Sequence, residues 1–304
     1  MKRWRFLIKL AAALFLGVFR TLYGFLYRVP GLRFHTTGQR YALRCLLKKD
    51  PDRFLRFWLN PVVMMRFPEF AYTWHAAHWK KKKILDVSSP RMFAAYLCSK
   101  FDDVRIRMVN PDKADLQETA ACFSAFGIAA DRFTLTDSFA DVEGDFDIVY
   151  SISVIEHVPG TEETAFLNRI WNRLKPNGIF ILTFPTAAKF RIEYRKNNPY
   201  GLDVPQNEKG EYFYQRVYDE EAVHTRIIQP WKNFGGTCSS LQTYGLKEGW
   251  SFAEYRERWQ KFGLRETQKD IIYAARYLRT YETTAELPDR GVCGLSLFKG
   301  GSTG

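Results

Sequence analysis

The sequence predicts an α/β fold in which a parallel sheet is covered by helices on both faces, preceded by an amphipathic helix and carrying a helical cap. Three observations predict it. From Lys83 onward, short apolar runs alternate with longer segments of helical period; residues 1–29 gather their apolar positions on one side of a helix; and residues 186–290 concentrate aromatic and basic side chains.

A chain of 304 residues is long enough to bury a substantial core without staples. Its five cysteines, Cys45, Cys98, Cys122, Cys238 and Cys293, have no C-x-x-C spacing, which argues against a zinc site or a disulfide framework. Scattered thiols in odd number fit a reducing compartment. The formal charge of +12 and pI near 9.4 call for an acidic partner, such as anionic lipid, nucleic acid or an acidic metabolite. Aromatic side chains make up 16% of the chain and crowd the first 80 residues and the stretch 190–281. Those flanks are where apolar matter is met.

The N-terminal segment is read first as a membrane element. On a helical wheel Trp4, Leu7, Ile8, Ala11, Leu14, Phe15, Val18, Leu22, Phe25, Leu26 and Val29 share one side. Lys2, Arg5, Lys9, Arg20 and Arg28 take the other, and Pro30-Gly31 ends the helix. This is the pattern of a basic helix lying in the headgroup plane of an anionic membrane. A span competes poorly, since the charge-free run Leu10–Phe19 is ten residues and a bilayer needs about 20. A signal peptide competes poorly too, because Phe-Arg-Thr-Leu stands where small residues are expected. The third alternative is a helix that packs on its own domain. Residues 31–82, broken at Asp50-Pro51 and Asn60-Pro61, predict two or three short helices, ending in the lysine run 80–83.

The alternation then runs in order. Ile84–Val87 is a buried strand and Pro90–Lys100 a helix, with Ser89 as its cap and Pro90 at its first position. Val104–Val109 is a second strand, Lys113–Phe126 a helix, Arg132–Thr136 a third strand and Phe146–Ser151 a fourth. Glu162–Leu174 is a helix and Gly178–Phe184 a fifth strand.

Three of these segments carry a resemblance. Lys-Lys-Ile-Leu-Asp-Val (82–87), Phe-Asp-Ile-Val-Tyr-Ser-Ile-Ser-Val-Ile-Glu-His-Val (146–158) and Leu-Lys-Pro-Asn-Gly-Ile-Phe-Ile-Leu-Thr (174–183) resemble, in order and separation, the first, fourth and fifth strand motifs of class I S-adenosylmethionine-dependent methyltransferases. The resemblance implies a Rossmann-like seven-stranded sheet. It continues more weakly through Tyr218–Glu221, Cys238–Tyr244 and Gly291–Lys299, where that fold places its last helix and an antiparallel pair. The chain then divides into a membrane-surface helix (1–30), a helical extension (31–82) and a methyltransferase-like domain (83–304) with its cap in 186–290.

The resemblance also implies a cofactor, S-adenosylmethionine, at the strand ends where sheet order reverses. Asp86, Ser88, Ser89 and Pro90 follow the first strand, where the family has a glycine-rich loop; here every such glycine is missing. The helix start still suits a carboxylate. Asn110 aligns with the ribose-gripping acid after the second strand, with Asp112 nearby, although Asn-Pro-Asp also reads as a turn and cap. Asp137 and Ser138 align with the adenine contact, or cap a helix. Ser151 to Val158 faces the transferred methyl, and Glu156-His157 is the acid/base pair there, or else shapes the loop.

The expected function is S-adenosylmethionine-dependent methyl transfer to a lipid, lipid-linked or other amphiphilic small molecule, by a protein peripheral to the cytoplasmic face of a membrane. A fold that keeps its shape as a scaffold without chemistry is the alternative. An RNA acceptor ranks last, because the fourth-strand motif lacks an Asn/Asp-Pro-Pro-Tyr type signature and much of the basic charge lies outside the core.

Overall fold

The computed structural model describes residues 2–160, 162–198, 201 and 204–300. Four helices come first: α1 (Lys2–Leu26), α2 (Leu32–Leu47), α3 (Pro51–Leu59) and α4 (Arg66–His75). Then β1 (Lys83–Val87), α5 (Arg91–Lys100), β2 (Arg105–Val109), α6 (Lys113–Phe126), β3 (Phe133–Thr136), β4 (Phe146–Ile152), α7 (Glu163–Trp171) and β5 (Leu174–Ala187) alternate. The remainder comprises β6 (Arg191–Arg195), β7 (Tyr212–Val217), α8 (Glu220–Val223), α9 (Gln229–Asn233), β8 (Thr237–Cys238) and β9 (Gln242–Leu246). It closes with α10 (Phe252–Phe262), α11 (Leu264–Thr267), α12 (Asp270–Tyr277), β10 (Leu278–Tyr281) and β11 (Arg290–Phe298).

The main sheet runs β10-β9-β11-β5-β4-β1-β2-β3, with β8 beside β11. Strands β1 to β5 pair in parallel and β11 enters antiparallel between β5 and β9. Seven of these strands make the expected sheet, and β8 and β10 add to it. Its order reverses between β1 and β4, the crevice where such sheets bind ligands.

Consecutive side chains along each strand point to opposite faces, so a strand covered on both sides is apolar throughout. Ile84, Ile148 and Tyr150 meet Phe34, Phe70 and Phe93 on one face. Leu85, Val149 and Leu182 meet Phe166, Leu167 and Trp231 on the other. The cap departs from the helical expectation: its first part is the hairpin β6–β7, and its helices come later.

Helix α1 docks by the side opposite most of its apolar stripe. Its inner side is Ala13, Gly17, Arg20 and Gly24, all buried. The Trp58 indole donates to the Ala13 carbonyl at 2.9 Å, and a Cβ on Gly17 would stand 2.1 Å from Trp58 Nε1. Small residues thus let the helix lie against the domain. Most of the apolar stripe points outward, with Phe15 at 70% and Phe25 at 72% exposure, while Leu14 and Val29 pack against the core. A surface helix ordinarily turns that stripe to the core. Arg20, expected among the outward cations, is buried instead, and burial lowers its pKa. No helix among the described residues is long and apolar enough to cross a membrane.

Another glycine positions the site. A Cβ at Gly294 on β11 would meet the Tyr72 ring at 2.3 Å, so its absence admits α4 onto the sheet, where the Tyr72 hydroxyl bonds Ser296 Oγ at 2.9 Å. Glu69, one turn earlier, is thereby delivered to the ends of β4 and β5.

Candidate functional site

The first part of the site is the turn from β1 into α5. Asp86 is fully buried; its carboxyl accepts from the Ser89 amide at 2.9 Å and from the Tyr150 hydroxyl at 2.6 Å. Burial nevertheless raises its pKa to about 7, against the pull of those two donors. Ser88 takes a left-handed φ of 52°, a conformation that glycine adopts at no cost. Its amide and hydroxyl both donate to the Val109 carbonyl. The expected cap is corrected: α5 begins at Arg91, Pro90 occupies the N-cap position, and no side chain caps the helix. Ser89 is otherwise engaged, its Oγ accepting from the Ile152 amide at 3.0 Å. The Phe93 amide donates to the Pro90 carbonyl at 3.1 Å, and the amides of Arg91 and Met92 before it receive no side-chain cap.

The ends of β2 and β3 are tied down. Asn110 is buried; its Oδ1 accepts from the Asp112 amide at 3.0 Å and its Nδ2 donates to Asp115 at 2.9 Å. Asp112 caps α6 by accepting from the amides of Ala114 and Asp115. Asp137 is exposed and pairs with Lys113 at 2.9 Å, which lowers its pKa. Ser138 caps the short turn after it, accepting from the Ala140 amide at 3.2 Å. Ser151, by contrast, has a buried hydroxyl with no hydrogen-bond partner.

After β4 the chain turns through Ser153, also left-handed at φ 54°, into a single helical turn at Ile155–His157. The Ser153 hydroxyl donates to Glu69, and Thr183 Oγ1 donates to the same oxygen at 3.2 Å. Glu156 is buried with Oε2 unpartnered. Burial first, and then the nearby Glu69 charge, raise its pKa to about 8. His157 moves the opposite way, to about 4, chiefly through burial, with Arg66 and Arg290 adding to the effect. Its Nδ1 lies 2.7 Å from the Tyr214 carbonyl. A carbonyl only accepts, so Nδ1 carries the proton and Nε2 the lone pair. Nε2 stands 3.7 Å from Glu156 Oε1. At neutral pH the contact is therefore an uncharged acid beside an uncharged base, not an ion pair.

This pair opens on a cavity of about 350 Å³, lined also by Met64, Arg66, Glu69, Arg195, Tyr214 and Arg290. Its size suits a small molecule. Arg66 and Glu69 pair at 2.6 Å, and Arg290 pairs with Glu193 at 3.3 Å. The loop that follows is held by Arg216, a buried cation that bonds the carbonyls of Val158 and Gly160 and pairs with the buried Glu163 at 3.1 Å.

The structure thus gathers Asp86, Ser88, Ser89, Pro90, Asn110 and Ser151 around the β1–β4 crevice, with Glu156 and His157 in the turn that follows β4. Asp112, Asp137 and Ser138 lie at the outer strand ends and serve caps and an ion pair. Sequence reasoning missed Arg66, Glu69 and Arg290. The one signal for Glu69 was an acid within an otherwise apolar and basic stretch.

A family model described as a methyltransferase domain matches residues 90–182. Among solved structures, coclaurine N-methyltransferase bound to N-methylheliamine and SAH is similar at 10% identity, with a TM-score of 0.50 over 76% of this chain and 72% of that one. The Burkholderia thailandensis 1,6-didemethyltoxoflavin-N1-methyltransferase, solved with 1,6-didemethyltoxoflavin and S-adenosylhomocysteine, is 15% identical over 85% and 88% of the two chains, with a TM-score of 0.48. No curated protein matches the chain. Its strand motifs, its reversed sheet order and the match of residues 90–182 to a methyltransferase domain give the chain the Rossmann-like fold of the class I S-adenosylmethionine-dependent methyltransferases.

Proposed function

We propose that the chain methylates an amphiphilic small molecule, a lipid or lipid-linked compound, at the surface of an anionic membrane on its cytoplasmic face. The observation that carries the membrane part is the inverted docking of α1. Trp4, Ile8, Phe15, Leu22, Phe25 and Leu26 are all more than half exposed along one side of a helix whose other side is fixed to the domain. Water is a poor solvent for such a stripe, whereas the acyl boundary of a bilayer takes it up, at about 25 cal/mol per Å² of apolar area. The cations of the first ten residues suit anionic headgroups.

The crevice residues fit S-adenosylmethionine at its amino-acid end. The uncapped start of α5 offers amides to a carboxylate, the left-handed Ser88 keeps the turn tight, and the unpartnered Ser151 hydroxyl is a ready donor or acceptor. The bound cofactor supplies an electrophilic methyl on a sulfonium. What remains for the protein is alignment and, for a hydroxyl or acidic-carbon acceptor, removal of a proton. His157 Nε2 is the base for that proton, fixed in its tautomer by Tyr214. Glu156, an acid up to about pH 8, donates to an acceptor oxygen.

A second reading, a membrane-bound scaffold without chemistry, draws on one observation. Asn110, Asp137 and the Ser89 hydroxyl are all spent on internal contacts. The test of the membrane part is sedimentation with phosphatidylserine-containing vesicles. The full chain pellets with them, and the double variant Phe15→Glu, Phe25→Glu stays in solution with unchanged thermal stability. Pelleting by the variant as by the parent overturns it.

A further inference from the structure

The cavity at Glu156 and His157 adjoins two others of opposite character, sharing wall residues with each. On one side it shares Val63 and Trp259 with a groove of about 680 Å³ formed by α3, the loop after it, and α10–α11. On the other it shares Arg195, Tyr214 and Arg256 with a hollow of about 570 Å³ beside the β6–β7 hairpin.

The groove is largely apolar, lined by Phe57, Pro61, Val63, Trp259 and Leu264, with Arg56, Asn60, Gln260 and Thr267 among them. Val63, Trp259 and Leu264 expose 43, 46 and 38% of their surface along it, large side chains left to water. The hollow is cationic. Arg195, Lys196 and Arg256 line it, and none of the three forms an ion pair among the described residues. Its one carboxylate, Glu193, is already engaged by Arg191, Arg290 and Gln215. The Arg195 guanidinium lies 3.5 Å over the Tyr214 ring, so it is held in place while its donors remain for a guest. Tyr214 is also the residue whose carbonyl orients His157. The reacting centre therefore sits between an apolar trough and an unneutralised cationic end.

We propose that the methyl acceptor is an anionic amphiphile lying along all three spaces. Its apolar part occupies the groove at Val63, Trp259 and Leu264. Its anionic group, a carboxylate or a phosphate monoester, is held by Arg195 and Arg256. The atom to be methylated lies between them at Glu156 and His157. The inference rests on the methyltransferase reading above and narrows its substrate to a class. A neutral amphiphile would gain nothing from the exposed arginines, and a compact polar anion would gain nothing from the groove.

The probe is cis-parinaric acid, a long-chain carboxylate that fluoresces when it enters an apolar site, titrated into the full chain beside its methyl ester. The acid is expected to bind at least tenfold more tightly than the ester. Arg256→Gln removes that preference by weakening the acid alone, and Trp259→Glu weakens both. Both changed side chains are exposed, and circular dichroism of each variant confirms that the fold is retained. Competition by laurate or by dodecyl phosphate tells carboxylate from phosphate; displacement by dodecanol as strong as by either overturns the anionic requirement. Equal binding of acid and ester, or indifference to both substitutions, also overturns the proposal. S-Adenosylhomocysteine is titrated into the same samples. Its binding without parinarate binding refutes the acceptor assignment and leaves the methyltransferase reading standing. Parinarate binding without it overturns that reading, and the acceptor role with it.

Discussion

Replacing Glu156 with glutamine tests the electrostatics of the acceptor side directly. The buried carboxyl is uncharged in the folded chain up to about pH 8, whereas in the unfolded chain it ionises near 4.5. Between those values the folded state binds the extra proton, so stability is full at low pH and is lost as pH rises through about 8. From pH 6.5 to 8.0 the loss from this one group is about 1.5 kcal/mol, obtained from the two pKa values at about 1.36 kcal/mol per unit. Asp86 and Asp270, both raised to about 7, lose stability over the same interval and are untouched by the substitution. Urea unfolding at pH 6.5 and 8.0 reads the difference. With a slope of about 3 kcal/mol per M for a chain of this size, the parent midpoint falls by about 0.5 M more than that of Glu156→Gln. The glutamine chain, with no carboxyl to ionise, is the flatter of the two. Equal falls in parent and variant would refute the assignment of a buried, neutral acid at this position.

Three further outcomes follow from the packing. Arg216→Met strips the buried Glu163 of its inner partner and the Val158 and Gly160 carbonyls of their donor; unfolding should show a loss of about 3–5 kcal/mol, largely recovered in the double variant Arg216→Met, Glu163→Leu. Gly17→Leu drives a side chain into Trp58, and a thermal scan should show about 1–3 kcal/mol of destabilisation as α1 is pushed from its seat. His157→Ala removes the base while leaving Glu156 in place. With a hydroxyl acceptor, label transfer from methyl-labelled cofactor should fall by about 10²–10⁴-fold with S-adenosylhomocysteine affinity unchanged; equal rates in parent and variant would remove His157 from the chemistry.

Much of this architecture was legible because β1, β4 and β5 are buried on both faces. Continuous apolar runs such as Ile84-Leu85 and Ile181-Leu182 write that burial into the sequence, and the helices between them have ordinary period. The direction in which α1 docks was not legible. A wheel shows that one side is apolar but not which side the domain uses, and that choice was made by Gly17 and Gly24 fitting against Trp58 and Ile271. The acceptor side was half legible. Glu156 and His157 stood at a strand end, where position alone marks a candidate. Arg66, Glu69 and Arg290 come from α4 and β11, far from the motif in sequence, and only the packing of Tyr72 over Gly294 brings α4 to the strand ends. The β6–β7 hairpin was hidden by its composition, since aromatic and basic alternation reads equally well as a helical cap.

The measurement closest to the central claim is calorimetric titration of the full chain with S-adenosylhomocysteine. Saturable, one-to-one binding in the micromolar range is expected, with the open start of α5 and the left-handed Ser88 turn serving in place of a glycine loop. Absence of heat at millimolar ligand, from protein whose unfolding transition is intact, would contradict the account and leave the fold without its cofactor.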